Sequence, residues 1–246
     1  MGCFLISKEN NYESPWFKIG SPNLSNIFSN SPKIVVKKNT IIIHQDSMID
    51  RVYHIEKGRV RFFILNSTGE EKTMYVLNKG NIFGDVPSVS KNPFMLNAMA
   101  VSDCTLCTLE SNKYMDYILN DKELTKSYIC NLTSTVEYLT HHIRDITFLD
   151  RLKLVSKYIY MLNTNYGITT PVGTKINISF THQEMADLVG SSRVTVTKIM
   201  NCLVKENILE KINGYIYVKD IHKLQIICDM AESDIDKKIN SANLAI

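Results

Sequence analysis

A group of side chains between residues 181 and 201 has the types and spacing to meet a nucleic acid. Ser192, Arg193, Thr195, Thr197, Lys198 and Asn201 fall on one face if their segment is a helix. Arg193 carries a planar fork of donors that matches O6 and N7 of guanine, while the methyls of Val194 suit the methyl of thymine. Lys198 brings a point charge for a base or a phosphate. His182 and Gln183, on the preceding segment, read as phosphate contacts that fix register.

The elements that must hold these groups are legible around them, in THQEMADLVGSSRVTVTKIMNCLVK. Thr181 and Glu184 have the spacing of a capping box that opens a first helix. Gly190 permits the positive φ of a sharp turn, so that helix ends near Val189. Ser192 then caps a second helix running to about Lys205. Ala186, Val189, Val196 and Ile199 sit where two short, steeply crossed helices touch. This spells a helix-turn-helix with its second helix in the major groove. A helical hairpin inside a core is the alternative, but it gives no reason for Arg193 and Lys198 on the outer face.

The flanks extend this unit to residues 149–232. Leu152, Val155, Ile159 and Leu162 mark a helix over 150–163, followed by a loop over 164–173 and a strand over 175–180. After the helix pair, EKINGYIYV is a hairpin folded at Asn213-Gly214, a strong type I′ signal and the place for a wing. A short helix over 220–229 closes the unit, and residues 233–246 form a polar tail.

Upstream the text is different. Residues 1–30 form an arm rich in Asn, Ser and Pro, with a short helix near 23–29. Residues 31–110 break into short alternating segments: 34–36, 40–44, 52–56, 59–65, 71–77 and a run over 100–109. Turn pairs such as Lys57-Gly58 and Thr68-Gly69 separate them, which indicates a β sandwich or barrel. Residues 111–148 are a helical tract. Within it Asp121 caps a helix whose apolar positions are Leu124, Tyr128, Leu132, Val136, Leu139, Ile143 and Ile146. That stripe can lie on its own β domain or pair with a twin; its length relative to one small barrel favours a two-fold seam through Leu124, Tyr128, Leu132, Val136, Leu139 and Ile143.

Composition excludes several classes. A net charge of +3 over 246 residues leaves no polycationic tail, so DNA affinity must come from a local patch and from dimerisation. No apolar run reaches the roughly 18 residues of a membrane span, and no secretory signal is read, so a cytoplasmic protein with reduced thiols is expected. Cys104 and Cys107 stand in the alternating run and point to opposite faces, which does not suit a shared metal. Neither a Ser-His-Asp phrase, a phosphate loop, paired catalytic carboxylates nor an HExxH motif occurs, so an enzyme is not expected. The opening MGCFLIS places Ser7 one position too late for an acylation signal.

The order of β roll, long helix and winged helix-turn-helix resembles the cyclic-AMP receptor and fumarate-nitrate regulator (Crp/Fnr) family of bacterial transcription factors. The resemblance spans about residues 30–230. It rests on 181–203, on the phrases VYHIEKGRVRFF and GNIFGD, and on the hinge-like Thr147-Phe148-Leu149-Asp150. It implies an α+β fold with a cyclic-nucleotide-binding-like β roll, a dimerisation helix and a C-terminal winged helix-turn-helix. It further implies a homodimer on double-stranded DNA, RNA polymerase as a partner, and a small effector between roll and helix. The pocket would draw on Tyr75, Gly84, Asp85, Val86, Met95 and Leu96 from the roll and Val136, Leu139 and Thr140 from the helix.

Departures from the pattern narrow the effector. Cyclic-nucleotide binders of the family carry Glu beside the glycine and an Arg-Ser or Arg-Thr pair some ten residues on; here these places hold Asp85 and Met95-Leu96. A phosphate would find no cation, so cyclic AMP is not the expected effector. A lone Cys3 in the arm does not provide an iron–sulfur cluster, His44 and His54 read as strand residues, and no cofactor is expected. Within the family, EKTMYVLNKGNIFG, the VTV of the second helix and CLVKENIL are similar to the organohalide-responsive regulators of halorespiring bacteria. That branch uses a lysine where Asp85 stands, which disfavours a phenolate ligand. A thiol switch through Cys202 and Cys3, or a DNA-binding module without effector, are the alternatives.

Overall fold

The computed structural model describes residues 16–17 and 22–229. The N-terminal unit is a β roll of β1 (Trp16–Phe17), α1 (Pro22–Asn26), β2 (Lys33–Val36), β3 (Ile41–Ile43), β4 (Arg51–Lys57), β5 (Arg59–Leu65), β6 (Glu71–Asn78), β7 (Ile82–Phe83), α2 (Asp85–Ser90), β8 (Asn97–Ala100) and β9 (Cys104–Glu110). One sheet runs β1-β6-β5-β8-β3 and the other β2-β9-β4-β7. Alternation decides the two faces. Ile55, Val60, Phe62, Phe83 and Leu106 meet between the sheets, while Val52 and Cys107 turn the other way and pack under α1 with Leu24 and Phe28. Cys104 belongs to the first of these cores and Cys107 to the second.

Beyond the roll come α3 (Ser111–Asn120) and α4 (Lys122–Phe148). The Asp121 carboxylate caps α4, accepting from the backbone N–H of Glu123 at 2.8 Å and of Leu124 at 3.1 Å. The DNA-binding unit follows as α5 (Arg151–Tyr166), β10 (Gly167–Thr170), β11 (Gly173–Ile176), α6 (His182–Val189), α7 (Arg193–Lys205), β12 (Leu209–Ile212), β13 (Tyr215–Val218) and α8 (Ile221–Asp229). Its sheet order is β10-β11-β13-β12, and Asn213 and Gly214 both take positive φ (49° and 79°) at the tip of the β12–β13 hairpin.

Two local expectations need correction. The loop over 164–173 is instead the end of α5, the strand β10 and a tight turn. The strand over 175–180 stops at Ile176, because β13 offers it partners only at Thr174 and Lys175; Ile178 and Phe180 continue as irregular chain packed on the core. The segment after Gly84, for which the alternating pattern gave no element, is the helix α2, whose Pro87 lies in the first turn, where no intrahelical N–H is needed. The arm before residue 16, including Cys3, and the tail from residue 230 lie outside the described residues.

The stripe on α4 divides in two. Leu124, Tyr128 and Leu132 pack on the outer core of their own roll, Leu139 on its inner core, and Ile146 on the DNA-binding unit. Val136 and Ile143 are 63% and 57% exposed, with Ile129 beside them at 55%. The cause is helical pitch: a step of four residues turns about 40° past one full turn. The run 124–128–132–136 therefore drifts some 120° around the axis, from the face on the roll to the face on solvent.

Candidate DNA-reading helix and sensing crevice

The α6–α7 pair is built as its local sequence dictates. Thr181 N–H donates to the Glu184 carboxylate at 2.6 Å, and Glu184 N–H returns to the Thr181 hydroxyl at 3.1 Å. Gly190 takes φ 64°, and its successor Ser191 donates to the Ala186 carbonyl at 3.0 Å. The Ser192 hydroxyl accepts from Thr195 N–H at 3.0 Å and opens α7. Met185, Ala186, Val189, Val196, Ile199 and Leu203 are buried between the helices and α5. Exposed at the cap and along the first turns of α7 are Ser192, Arg193, Val194, Lys198 and Asn201, with Val194 at 65% exposure; Val204 and Lys205 are exposed in its last turn.

The other members of the predicted set are not all free to read DNA. The Thr195 hydroxyl sits 2.9 Å from that of Ser192, so it serves the cap. The Thr197 hydroxyl donates back to the Arg193 carbonyl at 2.8 Å and lies 2.9 Å from His182 Nδ1. Thr197 has one proton and gives it to that carbonyl, so His182 must be the donor through Nδ1–H. The neutral ring then has only an acceptor left at Nε2 and cannot donate to a phosphate until it is protonated. Partial burial lowers its pKa, and the charges of Lys211 and Arg193 lower it further. Gln183 is exposed, and its amide N–H donates to Asp187 at 2.6 Å, which leaves its carbonyl outward.

A contact set that nothing local signalled ties α6 to the roll. Lys72 on β6 donates to the carbonyl of Leu188 at 2.7 Å, capping the C-terminal end of α6. Burial, and after it the charge of Arg151, pull the Lys72 ammonium down to about 8. Arg61 bonds Thr73 at 2.8 Å, pairs with Glu71, and reaches Asp187 at 3.6 Å. Asn78 donates to the Tyr166 hydroxyl at 2.5 Å, and Arg59 to the Ser179 carbonyl at 3.2 Å. Val76, Met99 and Val101 of the roll pack on the core of the DNA-binding unit.

The second region of interest is a crevice of about 80 Å³ between β6, β7, α2 and α4. Of the expected pocket residues, Tyr75, Gly84, Asp85 and Val86 line it. Met95 does not: it is 72% exposed, because the bridge between Ser47 and Phe94 turns Phe94 inward and sends its neighbour out. Leu96 packs on the inner core. From the long helix Asn131, Leu132 and Thr135 line the crevice, whereas Val136, Leu139 and Thr140 lie off it toward solvent or the inner core. Gly84 has φ 83°, and a Cβ there would stand 2.8 Å from the Arg51 carbonyl, so the tight entry to α2 requires glycine.

Asp85 is the charged group of this crevice and is 8% exposed. Its pKa rises to about 6 because burial penalises the carboxylate, although its own N–H, the Tyr128 hydroxyl and the Val86 N–H each donate to it. Among the described residues no Lys, Arg or His lines the space. A cyclic nucleotide would bring a phosphate to a cavity with a carboxylate and no cation, and the residues do not fit that ligand.

A winged helix-turn-helix with a cationic, exposed second helix, carried behind a β roll and a long helix, defines a class of DNA-binding regulators. Residues 33–121 match the cyclic nucleotide-binding domain and residues 142–227 the Crp-like helix-turn-helix domain. The chain belongs to the Crp/Fnr family of transcriptional regulators. It is 22% identical over 209 residues to the anaerobic regulatory protein of Bacillus subtilis, covering 83% of this chain and 88% of that one. It is 23% identical over 170 residues to the cAMP-activated global transcriptional regulator CRP of Escherichia coli, covering 68% and 80%. Among solved structures, a CooA mutant from Carboxydothermus hydrogenoformans superposes with a TM-score of 0.75 at 20% identity, over 87% of this chain and 97% of that one. OCPA-complexed CprK gives 0.69 at 18% identity, over 86% and 99%. These likenesses establish the fold.

Proposed function

We propose that the protein is an effector-controlled transcriptional regulator that binds, as a homodimer, an A·T-rich inverted repeat, and that its effector is not cyclic AMP. The observation that carries this reading is the outer face of α7, where Arg193, Val194 and Lys198 are exposed to solvent beside a wing. Arg193 reads a guanine, Val194 a thymine methyl, and Lys198 a base or phosphate. Ser192, Thr195 and Thr197 set the pose of the helix, and Gln183 and, once protonated, His182 hold the backbone.

Two such helices need a two-fold partner. Ile129, Val136 and Ile143 recur every seven residues on the exposed face of α4, with Thr133 and Thr140 between them and Thr147 one turn beyond. That is a coiled-coil seam left bare in one chain, and it replaces the seam through Leu124, Tyr128, Leu132 and Leu139. Membership of the family supports RNA polymerase as a partner and work in the cytoplasm. The crevice at Asp85 touches both the roll and α4, so a ligand there can shift the dimer helix against the roll and, through it, α6.

The halorespiration branch is supported by the phrases shared with it, but Asp85 stands where that branch has its ligand-binding lysine. A thiol-controlled variant would need Cys202, which is half-buried on α7, to reach a second sulfur. Titrating a labelled duplex with protein at several salt concentrations tests the core of the proposal. Sequence-selective binding with a steep inverse salt dependence is expected, and equal affinity for all duplexes would refute it.

A further inference from the structure

We infer that the crevice beside Asp85 is a site for a small organic cation of the alkylammonium class. This rests on the reading of the crevice as the effector site and names the chemistry of what enters it.

The walls and the charge point the same way. Tyr75, Phe83 and Phe94 present aromatic surface to the space, and Leu77 and Leu132 add aliphatic surface. These rings are held rigidly: Tyr75 and Phe94 pack on Phe62 at centroid distances of 4.9 and 6.2 Å, and Phe83 stacks on Tyr53 at 4.9 Å. Fixed aromatic faces attract a cation through their quadrupoles, most strongly where water is excluded. The Asp85 carboxylate lies at the same cavity and is held by N–H and O–H dipoles, which orient a negative charge but do not neutralise it. Asn131 and Thr135 on the helix side offer polar atoms to an ammonium N–H. A buried carboxylate inside aromatic walls is left incomplete by this chain, and a cation with an apolar body completes it.

Size and protonation set the limits. A space of about 80 Å³ takes a molecule of a few heavy atoms, far below the usual volume for a drug-sized ligand. The other titratable groups around Asp85 are Tyr75 on β6, Tyr114 on α3 and Tyr128 on α4, each held un-ionised by burial well above the usual tyrosine range. Ligand affinity below neutrality therefore follows Asp85 alone. A cation prefers the ionised carboxylate, so affinity is constant above about pH 7 and falls as the pH drops through about 6, where Asp85 takes up its proton.

The test is calorimetric titration of the full chain with methylammonium and trimethylammonium chlorides at pH 7.5, against sodium chloride and tert-butanol. The Asp85→Asn variant runs in parallel; it keeps the shape and the Tyr128 partner and loses the charge. Saturable binding of at least one ammonium is expected on the order of 1 mM, as for very small ligands. It should weaken at least tenfold in Asp85→Asn and about tenfold between pH 7 and pH 5. Absence of saturable ammonium binding to the unaltered protein, or equal binding by the variant, overturns the inference. A separate duplex titration with and without the ammonium ion, and with Thr135→Trp filling the crevice, reports on the effector reading. A DNA response to Thr135→Trp without ammonium binding keeps the effector site and overturns the cation; ammonium binding without any DNA response keeps the cation and discards the effector role.

Discussion

Around Arg193 the polar groups point out from a finished core, whereas around Asp85 they point into an unfilled one. The α6–α7 unit is assembled from one continuous stretch, and its N-terminal caps and its turn glycine close within that stretch, while its buried face rests on α5 and the C-terminal end of α6 takes a bond from Lys72. The crevice draws its walls from β6, β7, α2 and α4, and its carboxylate is buried with no cationic side chain lining the space among the described residues. The first arrangement is stable as it stands and offers a fixed surface to DNA. The second is under-compensated and gains from whatever fills it, which is the condition for a ligand to move an equilibrium. Helix α4 joins them: its inner face walls the crevice, and its outer face carries the exposed apolar residues of the proposed seam.

The largest effect should come from the element the two regions share. Val136→Asp places charges at the heart of the proposed seam without touching the crevice or the core of the roll. Sedimentation should show monomers, and affinity for a two-half-site duplex should fall at least a hundredfold, about 3 kcal/mol. Leu132→Asp, by contrast, puts a charge into the outer core of the roll and should lower the melting temperature as well. A dimeric Val136→Asp protein would place the seam elsewhere.

Next in size is the removal of a single base contact. Arg193→Ala should cost about 1–3 kcal/mol per half-site, with preference relaxed at one base pair and the fold unchanged. His182→Ala should weaken all sequences alike and only at acid pH, because the neutral ring has no proton to give a phosphate.

The crevice should answer to pH rather than to sequence. The folded-state pKa of Asp85 is raised to about 6, so ionisation costs more in the folded protein than in the unfolded chain. Stability contributed by protonated Asp85 is present below the ordinary carboxylate pKa and is lost as pH rises through about 6. Asp85→Asn should thus stabilise the protein by about 1–3 kcal/mol at pH 7.5 and leave it unchanged near pH 3.5, as read by thermal unfolding. Destabilisation at pH 7.5 would show that the crevice compensates its carboxylate after all.

The smallest effect concerns the coupling of the two regions. Lys72→Met removes the cap on the Leu188 carbonyl and keeps the bulk of the side chain on β6. If that contact holds α6 in a pose that opposes DNA binding, affinity for duplex should rise about fivefold, at the low end of typical couplings. Unchanged or weaker binding would make the lysine a structural cap alone.

The same contrast explains what the sequence disclosed. Thr181, Glu184, Gly190 and Ser192 act on backbone within four residues of themselves, so the helix pair could be drawn to within a residue or two. The type I′ pair Asn213-Gly214 is equally local. The crevice was half legible: Tyr75, Gly84, Asp85 and Val86 follow from the phrase around the glycine, but the helix residues were set one turn too far along. Nothing in the periodicity of α4 says which of its apolar residues faces inward, since that depends on where the roll lies. Lys72 and Leu188 are separated by 116 positions, and no local pattern announces their bond.

The most direct test of the central claim, that α7 on a two-fold dimer reads the major groove, is selection of duplexes from a random pool by the unaltered protein and by Val194→Glu. Two recognition helices about 34 Å apart predict an inverted repeat with A·T-rich half-sites whose centres lie about 10 to 11 base pairs apart. Val194→Glu should change preference at one symmetric position from T·A towards C·G, because a carboxylate accepts from cytosine and a valine cannot. A motif without two-fold symmetry, or identical motifs from the two proteins, would contradict the account.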